Sequence, residues 1–161
     1  MRSTTLRTRA IALAGAAAIS AGAIAATASS AKPRAAHSSG VTIHVIEHAI
    51  TDAEAPGVNG PDVKGNPLTF VNPVYNPANT KKVGHDEGFC TRLSVKPGIW
   101  ECLWTTFLKG GQITVQGPFY DTKNSVLSIT GGTGAYRSSR GEMNLVSRNG
   151  GKEYDFIFHL S

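Results

Sequence analysis

The segment from Ile113 to Arg140 constrains the fold of this 161-residue chain more than any other part of it. It contains two short β-branched runs, Ile113–Val115 and Val126–Thr130, and glycines follow the second run at positions 131, 132 and 134. Glycine adopts positive-φ conformations without steric cost, so these residues predict a sharp corner or a close backbone approach. The corner is not a phosphate-binding loop, because Ala135–Arg137 leads into another strand-like run instead of a Gly-Lys-Ser/Thr sequence and a helix. We therefore expect β-structure throughout this region.

Apolar and polar residues alternate along the chain with a period of two, and no window shows a sustained helical stripe. Turn residues separate the alternating runs, and the irregular stretch Asp52–Asn66 is a candidate lid. Eight antiparallel strands in a domain of about 120 residues favour a closed barrel, since closure removes exposed sheet edges. A two-sheet sandwich is the structural alternative. The predicted strands lie near Val41–Ile50, Leu68–Tyr75, Lys82–Val95, Ile99–Leu108, Gln112–Phe119, Val126–Thr130, Gly141–Arg148 and Glu153–Leu160.

The first 31 residues, 1–31, predict a secretory signal peptide. Arginines lie within Met1–Arg9, the apolar run Ala10–Ala26 follows, and small residues suited to a signal peptidase come next. The run is short and rich in alanine and glycine for a membrane span, although an uncleaved anchor is the alternative. A flexible polar leader, 32–40, and a single domain, 41–161, complete the predicted organisation. The mature protein is therefore expected to be secreted.

The basic charge of the chain belongs mainly to the parts ahead of the domain. The whole chain has 16 Lys and Arg against 11 Asp and Glu, but from Val41 onward the two kinds are equal in number. A nucleic-acid-binding protein would need a clustered basic face, so no nucleic-acid partner is expected. No further apolar segment of membrane-spanning length follows the signal, so we expect no membrane span after its cleavage.

Cys90 and Cys102 are the only cysteines of the chain. The turn Lys96-Pro97-Gly98 lies between them, which places the two on neighbouring strands of a predicted hairpin and on the same face. In an oxidising compartment, a disulfide bond is the default for such a pair. Two buried thiols, or one reactive cysteine, are the alternatives that the sequence leaves open.

Two polar residues interrupt apolar strand faces. Glu47 shares a face of the first strand with Val45, and Asn72 shares a face of the second strand with Phe70. Inside an eight-stranded barrel, a carboxyl and an amide would be the few polar groups that orient an apolar guest, and burial would raise the pKa of the carboxyl. In the alternative interpretation, the glutamate lies at the rim, reaches water or pairs with Arg92, Arg137 or Arg140.

Four strings in the same order resemble the allene oxide cyclases, a family of small antiparallel β-barrels. The strings are VIEHAITDAEAP, TFVNPVYN, KKVGHDEGFC and VQGPF, and the resemblance covers nearly all of Val41–Leu160. The glycine-rich part TGGTGAYRSSRG also resembles the plant dirigent proteins, which share this kind of barrel. The resemblance implies an all-β fold, an eight-stranded antiparallel β-barrel of the calycin-like type.

The resemblance to the cyclases implies a reaction in which the barrel folds an unstable fatty-acid epoxide into the shape that cyclises. The family's catalytic glutamate falls on Glu47, where it would stabilise developing positive charge. A pocket asparagine falls on Asn72, where it would help to hold a water at the epoxide oxygen. The family has an aromatic hydroxyl at the position of Phe119, which lacks one. The substrate-binding positions implied in the same way are Pro56, Leu68, Phe70, Cys90 and Phe119.

These implications lead to a functional hypothesis: a secreted barrel that binds an apolar small molecule, lipid- or phenolic-derived, and steers its cyclisation or stereoselective coupling. The resemblance implies that no cofactor is needed, and it implies a homo-oligomer, a dimer or a trimer. Dirigent proteins steer the radical coupling of phenolics that a separate oxidase produces. A non-catalytic ligand-binding or extracellular interaction module on the same barrel is the alternative.

Other chemistries have weaker support in the sequence. His44 and His48 share a strand face and His85–Glu87 lie in a glycine-flanked turn, but no third ligand is spaced for a metal, so no metal site is expected. The chain has no Gly-x-Ser-x-Gly motif, which leaves a hydrolase triad without support. Trp100 and Trp104 share a face and could line an aromatic or sugar site, although core packing is the commoner role of such a pair.

Overall fold

The structure, a computed structural model, describes residues 40–55 and 60–161. These residues contain nine β-strands and a single 3₁₀ turn. The predicted signal peptide, the leader up to residue 39 and Pro56 lie outside the described residues. Within the described ranges, no helix is both long and apolar enough to span a membrane. The strands are β1 Val41–His48, β2 Ala53–Glu54, β3 Pro67–Tyr75, β4 Lys82–Ser94, β5 Ile99–Leu108, β6 Gly111–Tyr120, β7 Ser125–Gly132, β8 Gly141–Arg148 and β9 Glu153–Leu160, and the 3₁₀ turn is Gly134–Tyr136.

The strands form one antiparallel sheet that closes on itself. From β3 to β9 each strand pairs with the next, and β1 pairs along its whole length with β9. A second pairing of β1, with β3, joins Ile46 to Tyr75 and Glu47 to Val74. These pairs close a barrel of eight strands, β1 and β3–β9, while the two-residue strand β2 pairs only with β3. The predicted eight-stranded antiparallel barrel is confirmed, and the sandwich is excluded.

The barrel interior is filled by the apolar side chains that the period-two pattern places inward. Successive residues of a strand point to opposite faces of the sheet, so every second position of each strand contributes to one shared core. Each large apolar side chain that is fully buried contributes about 1.5–3 kcal/mol. The buried apolar side chains of the last four strands are Ile113, Val115, Leu127, Ile129, Met143, Leu145, Phe156 and Phe158.

The glycine corner allows the close backbone approach that the sequence predicts. Gly134 has a φ of 58°, and a Cβ there would lie 2.1 Å from the carbonyl oxygen of Gly110. A Cβ at Gly132 would lie 2.4 Å from the carbonyl oxygen of Tyr136. Glycine at these two positions therefore lets the 3₁₀ turn pack directly on the turn between β5 and β6.

Cys90 of β4 and Cys102 of β5 lie directly opposite each other and form a disulfide bond, with their Cα atoms 4.0 Å apart. Both are buried on the inner face of the barrel. The predicted disulfide is confirmed, and neither thiol alternative applies.

Two local predictions are wrong. His85–Glu87 do not form a turn but lie in the middle of β4, where they pair with both β3 and β5. The first strand ends at His48 and not at Ile50, because the amides of Ile50 and Thr51 donate hydrogen bonds to the side chain of Asn72 instead of continuing the ladder.

Candidate functional site

A cavity of about 70 Å³ lies inside one end of the barrel, the end at which β1 finishes and β3 starts, which we call the mouth. Aromatic and aliphatic side chains form most of its wall, and carboxyl groups form the polar part. Five of the sequence-predicted site residues lie on this wall: Glu47, Leu68, Phe70, Cys90 and Phe119. The other wall residues are Asp52, Cys102, Trp104, Leu145, Tyr154 and Phe156.

Glu47 is the buried carboxyl of this cavity. It lies where the barrel closes, opposite Val74 on β3 and opposite Tyr154 on β9. Only 5% of its surface is exposed, and its Oε1 accepts a hydrogen bond of 2.7 Å from Nδ2 of Asn72. Among the described residues, Glu47 forms no ion pair, and Arg92 pairs instead with Asp62 and Asp121. The carboxyl therefore faces the cavity without a neighbouring cation.

Asn72 organises the polar groups around Glu47. This fully buried amide donates through Nδ2 to Glu47 and, at 2.7 Å, to Oδ1 of Asp52. Its Oδ1 accepts from the backbone amides of Ile50 and Thr51 at 3.1 and 2.9 Å. One side chain thus anchors the chain that leaves β1 and holds two carboxyl groups at the mouth.

Burial in this cluster raises the pKa values of Glu47, Asp86 and Tyr154. Burial is the main reason that the pKa of Glu47 rises to about 8. The hydrogen bond from Asn72 lowers this pKa, and the nearby charge of Asp52 raises it. Burial, together with the charge of Glu47, raises the pKa of Asp86 to about 9. Burial and the same acidic neighbours raise the pKa of Tyr154 to about 12. At neutral pH, Glu47 is therefore mainly a protonated acid that can donate a proton.

Three polar members of this site were not predicted from the sequence. Asp86 is fully buried opposite Asn72, and its Oδ1 accepts a hydrogen bond of 3.3 Å from the backbone amide of Asn72. Asp86 lies four residues before the inward-facing Cys90, so strand alternation places both side chains on the same face. This spacing could have predicted that Asp86 faces inward. Tyr154 precedes the core residue Phe156 by two positions and carries the same signal. Asp52 lies beyond the end of β1, where strand periodicity no longer predicts direction.

A second cavity, of about 330 Å³, adjoins the first at the mouth, and we call it the vestibule. The two share the side chains of Phe119, Leu145 and Tyr154, and the rings of Phe119 and Tyr154 meet edge to face at 5.7 Å. The vestibule is completed by the loop after β6 and by Gly150 and Gly151 of the last hairpin. An apolar guest in the vestibule would therefore contact side chains that also line the inner cavity.

A buried arginine fixes the loop beside the mouth. The Nε of Arg92 donates to Asp62 at 2.9 Å, and its guanidinium also bonds to Asp121 and lies 3.8 Å above the ring of Trp100. The indole of Trp100 donates to Asp121 at 2.8 Å. Of the predicted tryptophan pair, Trp100 thus belongs to this ion-pair network, whereas Trp104 lies on the cavity wall.

The histidines of the first strand lie on the outside of the barrel and engage other groups. The Nε2 of His44 bonds to Asp155 at 2.7 Å, and Nε2 of His48 bonds to Asn79 at 2.7 Å. Within residues 40–55 and 60–161, no three His, Cys, Asp or Glu side chains converge on a geometry that could hold a metal ion.

Solved structures share this barrel, although no protein-family model matches the chain. A pyocyanin demethylase matches with a TM-score of 0.62 at 25% identity, over 73% of this chain and 100% of that chain. A pterocarpan synthase dirigent protein matches with a TM-score of 0.60 at 21% identity, over 74% and 84% of the two chains. An exo-specific intermolecular Diels–Alderase matches with a TM-score of 0.61 at 16% identity, over 76% and 98%. The chain therefore has the barrel fold of the dirigent-like proteins, as its resemblance to them predicts.

Proposed function

We propose that the protein binds an apolar small molecule at the barrel mouth and steers its cyclisation or coupling, with Glu47 as the acid that acts on the bound molecule. The observation that carries this proposal is a buried carboxyl group, with a pKa that burial raises, on an otherwise largely apolar and aromatic cavity wall, with no cation beside it among the described residues. Buried acids with raised pKa values occur where proteins transfer protons. The related folds of a dirigent protein and a Diels–Alderase support a role in steering reactions.

The size of the two cavities supports a ligand that spans both. Pockets for small molecules have volumes of roughly 300–1,000 Å³. The vestibule, at about 330 Å³, reaches this range, whereas the inner cavity, at about 70 Å³, has room only for one end of such a molecule. The body of the ligand would then lie in the vestibule against Phe119 and Tyr154, and its reacting oxygen would be directed towards Glu47.

The chemistry that fits this arrangement is general acid catalysis combined with conformational control. Protonated Glu47 would donate to an oxygen of the ligand, and the carboxylate it leaves would stabilise the positive charge that develops on the carbon skeleton. Asn72 would hold the carboxyl in place, and the aromatic wall would select one folded shape of the ligand.

We also propose that the protein acts outside the cytoplasm. The N-terminal pattern of 1–31 is that of a secretory signal, and the Cys90–Cys102 disulfide is typical of oxidising compartments. A secreted steering protein would meet its substrate in the medium or at the cell surface.

Native mass spectrometry of the protein recovered from culture medium tests the binding proposal. Wild type is expected to carry an added mass of a small organic molecule, which Phe70→Trp removes by filling the inner cavity. Phe89→Trp is the matched control, because Phe89 lies on the outside of the barrel with half of its surface exposed. If the folded Phe70→Trp variant still carried the added mass, binding at the mouth would be contradicted.

The role of Glu47 is tested with the recovered molecule or its precursor as substrate. The rate of the wild type is expected to fall as the pH rises through about 8, because the acid loses its proton there. Glu47→Gln keeps the shape of the side chain but cannot transfer a proton. We therefore expect its reaction to be at least a hundredfold slower and its rate not to fall as the pH rises through about 8. Equal rates and the same product stereochemistry for both proteins would exclude the role.

A non-catalytic binding module is the second candidate, and the small inner cavity favours it. Under this hypothesis, the ligand would be retained by wild type and by Glu47→Gln with equal affinity, and neither would change it chemically. The two experiments above therefore separate a steering protein from a carrier.

A further inference from the structure

Three buried polar atoms of the barrel have no hydrogen-bond partner within the described part of the chain. They are Oδ2 of Asp86, Nε1 of Trp104 and Oγ1 of Thr106. Each belongs to an almost fully buried side chain, and Asp86 and Thr106 have no exposed surface at all. A buried polar group without a partner costs about 1–3 kcal/mol, so three together would weigh heavily against a fold stabilised by about 5–15 kcal/mol.

The register of the sheet brings these three side chains to one place. Asp86 on β4 lies directly opposite Thr106 on β5, and Trp104 lies two residues from Thr106 on the same inward face. The residue opposite Trp104 is Gly88, where a Cβ would lie 2.3 Å from the Cβ of Trp104. The missing side chain lets the Cα and Cβ of Trp104 approach β4 closely, two residues along that strand from Asp86.

We propose that Asp86, Trp104 and Thr106 together hold one resident, buried water molecule below the cavity floor. Buried waters typically make about three hydrogen bonds to polar groups that would otherwise be unsatisfied, which is the number of atoms available here. Asp86 is protonated at neutral pH and its Oδ1 accepts from Asn72, so the water oxygen accepts from the indole N–H and from the Oδ2–H of Asp86, and one water hydrogen is directed to Thr106 Oγ1.

The chemistry of the three atoms selects water over other occupants. A metal cation is disfavoured because the indole N–H presents a positive hydrogen to the site. A ligand that enters from the mouth can meet Trp104, which lies on the cavity wall, but neither Asp86 nor Thr106 lies on the wall of the cavity or of the vestibule. A molecule of water size with both donor and acceptor capacity fits these conditions.

The water would support the acidic cluster on its side away from the mouth. Oδ1 of Asp86 accepts from the backbone amide of Asn72, and Asn72 holds Glu47 through its side chain. Fixing Oδ2 of Asp86 therefore fixes the orientation of the carboxyl on which Asn72 rests. This is a positioning role, because neither the water nor Asp86 touches the cavity in which the ligand is proposed to bind.

A crystal structure of the wild type at high resolution, compared with Thr106→Val and Thr105→Val, tests the proposal. The wild type is expected to show one water within hydrogen-bond distance of all three atoms. Thr106→Val, which keeps the shape but removes the hydroxyl, is expected to lose or displace it. Thr105→Val is the matched control, because Thr105 lies on the same strand but bonds outside the core to Thr114, and it should keep the water.

Solution measurements keep the test decisive if Thr106→Val does not fold. The chain has two tryptophans, so its two indole N–H signals can be assigned by their neighbours in an NMR spectrum. The Trp104 signal is expected to show a dipolar cross-peak to a long-lived water in the wild type and in Thr106→Ser, which retains the hydroxyl. Direct contacts between the three side chains with no density between them, or no water cross-peak at Trp104, would overturn the proposal.

Discussion

Asn72 shows how one residue sets the protonation of its neighbours. Its amide group gives one hydrogen to Glu47 and the other to Asp52, and its backbone amide binds Asp86. Three acids therefore gather around a neutral group, and no cation compensates them among the described residues. Since burial penalises the charged form, the folded protein retains protons on Glu47 and Asp86 that an unfolded chain would release.

The retained protons predict an unusual dependence of stability on pH. Between the ordinary pKa of an aspartate, 3.8, and the raised value of about 9, the native state binds a proton at Asp86 that the unfolded chain does not. Stability therefore decreases as the pH rises through this window, by up to about 1.4 kcal/mol per pH unit for each such group. Asp86→Asn removes the contribution of one group. Urea unfolding of this variant from mildly acidic to mildly alkaline pH should give a flatter slope than that of the wild type.

The neighbouring residue supplies the control for this prediction. Glu87 is acidic and exposed on the outer face of the same strand, so Glu87→Gln changes the charge without removing a buried proton. Its slope should follow the wild type. If Asp86→Asn also followed the wild type, Asp86 would not be protonated in the native state at neutral pH.

The residue-level site could be predicted only where strand periodicity determines the direction of a side chain. Glu47 and Asn72 interrupt apolar faces, and both lie inward as their positions predict. Asp86 obeys the same rule, but the adjacent glycines led to the prediction of a turn. Asp52 follows the end of β1, where a side chain of another strand, Asn72, decides the path of the chain. No local pattern contains that information.

At the level of elements, the β4–β5 pair is the wall on which the site depends. It carries the Cys90–Cys102 disulfide, the cavity residue Trp104 and the carboxyl of Asp86 on one inner face. Gly88 lies at the centre of this face. Its missing side chain provides the space that the Cβ of Trp104 occupies.

Adding a methyl group at position 88 should therefore disturb this wall. A Cβ there would lie 2.3 Å from the Cβ of Trp104 and 2.5 Å from the carbonyl oxygen of Leu103, so the two strands must move apart. We expect Gly88→Ala to lower the free energy of unfolding by roughly 1–3 kcal/mol, as overpacked cores do, and to change the fluorescence of Trp104. Gly131→Ala is the control, because its Cβ would meet only the guanidinium of Arg140 at 4.0 Å. Equal free energies of unfolding for the two variants would show that β4 and β5 can move apart without loss of stability.

The strands themselves were predicted well because alternation and turn residues specify them locally. The boundaries of the strands that begin at Ile99, Gly141 and Glu153 agree with the structure at both ends. The strand β2 was missed because its two residues contain no alternation, and only its pairing with Thr69 and Leu68 defines it. Short strands of this kind depend on tertiary contacts and not on propensity.

For the whole molecule, closure of the barrel creates the candidate site. The seam between β1 and β3 consists of two residue pairs, and Glu47 belongs to one of them. The same seam places Asn72, two residues from Val74, beside the carboxyl of Glu47. The sequence predicts a barrel from its number of strands, but it does not contain the register of closure. That register decides which side chains of the first and third strands meet.

The mouth is also stabilised outside the seam, by Arg92 of β4. This arginine joins the loop residue Asp62 to Asp121 after β6, and its backbone carbonyl accepts from Gly65. The network therefore connects segment 60–66 to the barrel through both the guanidinium and the backbone of Arg92. Hydrogen bonds to charged groups contribute about 1.5–3 kcal/mol each, and partly exposed partners reduce this figure.

Arg92→Gln should loosen this segment without opening the barrel. We expect amide hydrogen exchange in residues 60–66 to become about tenfold faster, corresponding to ~1.4 kcal/mol of local stability, because the glutamine cannot reach both carboxylates. Exchange in β6–β9, whose cores do not depend on the network, should stay unchanged. Arg140→Gln is the control, since Arg140 is exposed and, within residues 40–55 and 60–161, its guanidinium bonds only to the adjacent carbonyl of Ser139. Faster exchange throughout the barrel would show that Arg92 supports the whole fold, and unchanged exchange in 60–66 would show that the loop holds its place through its backbone alone.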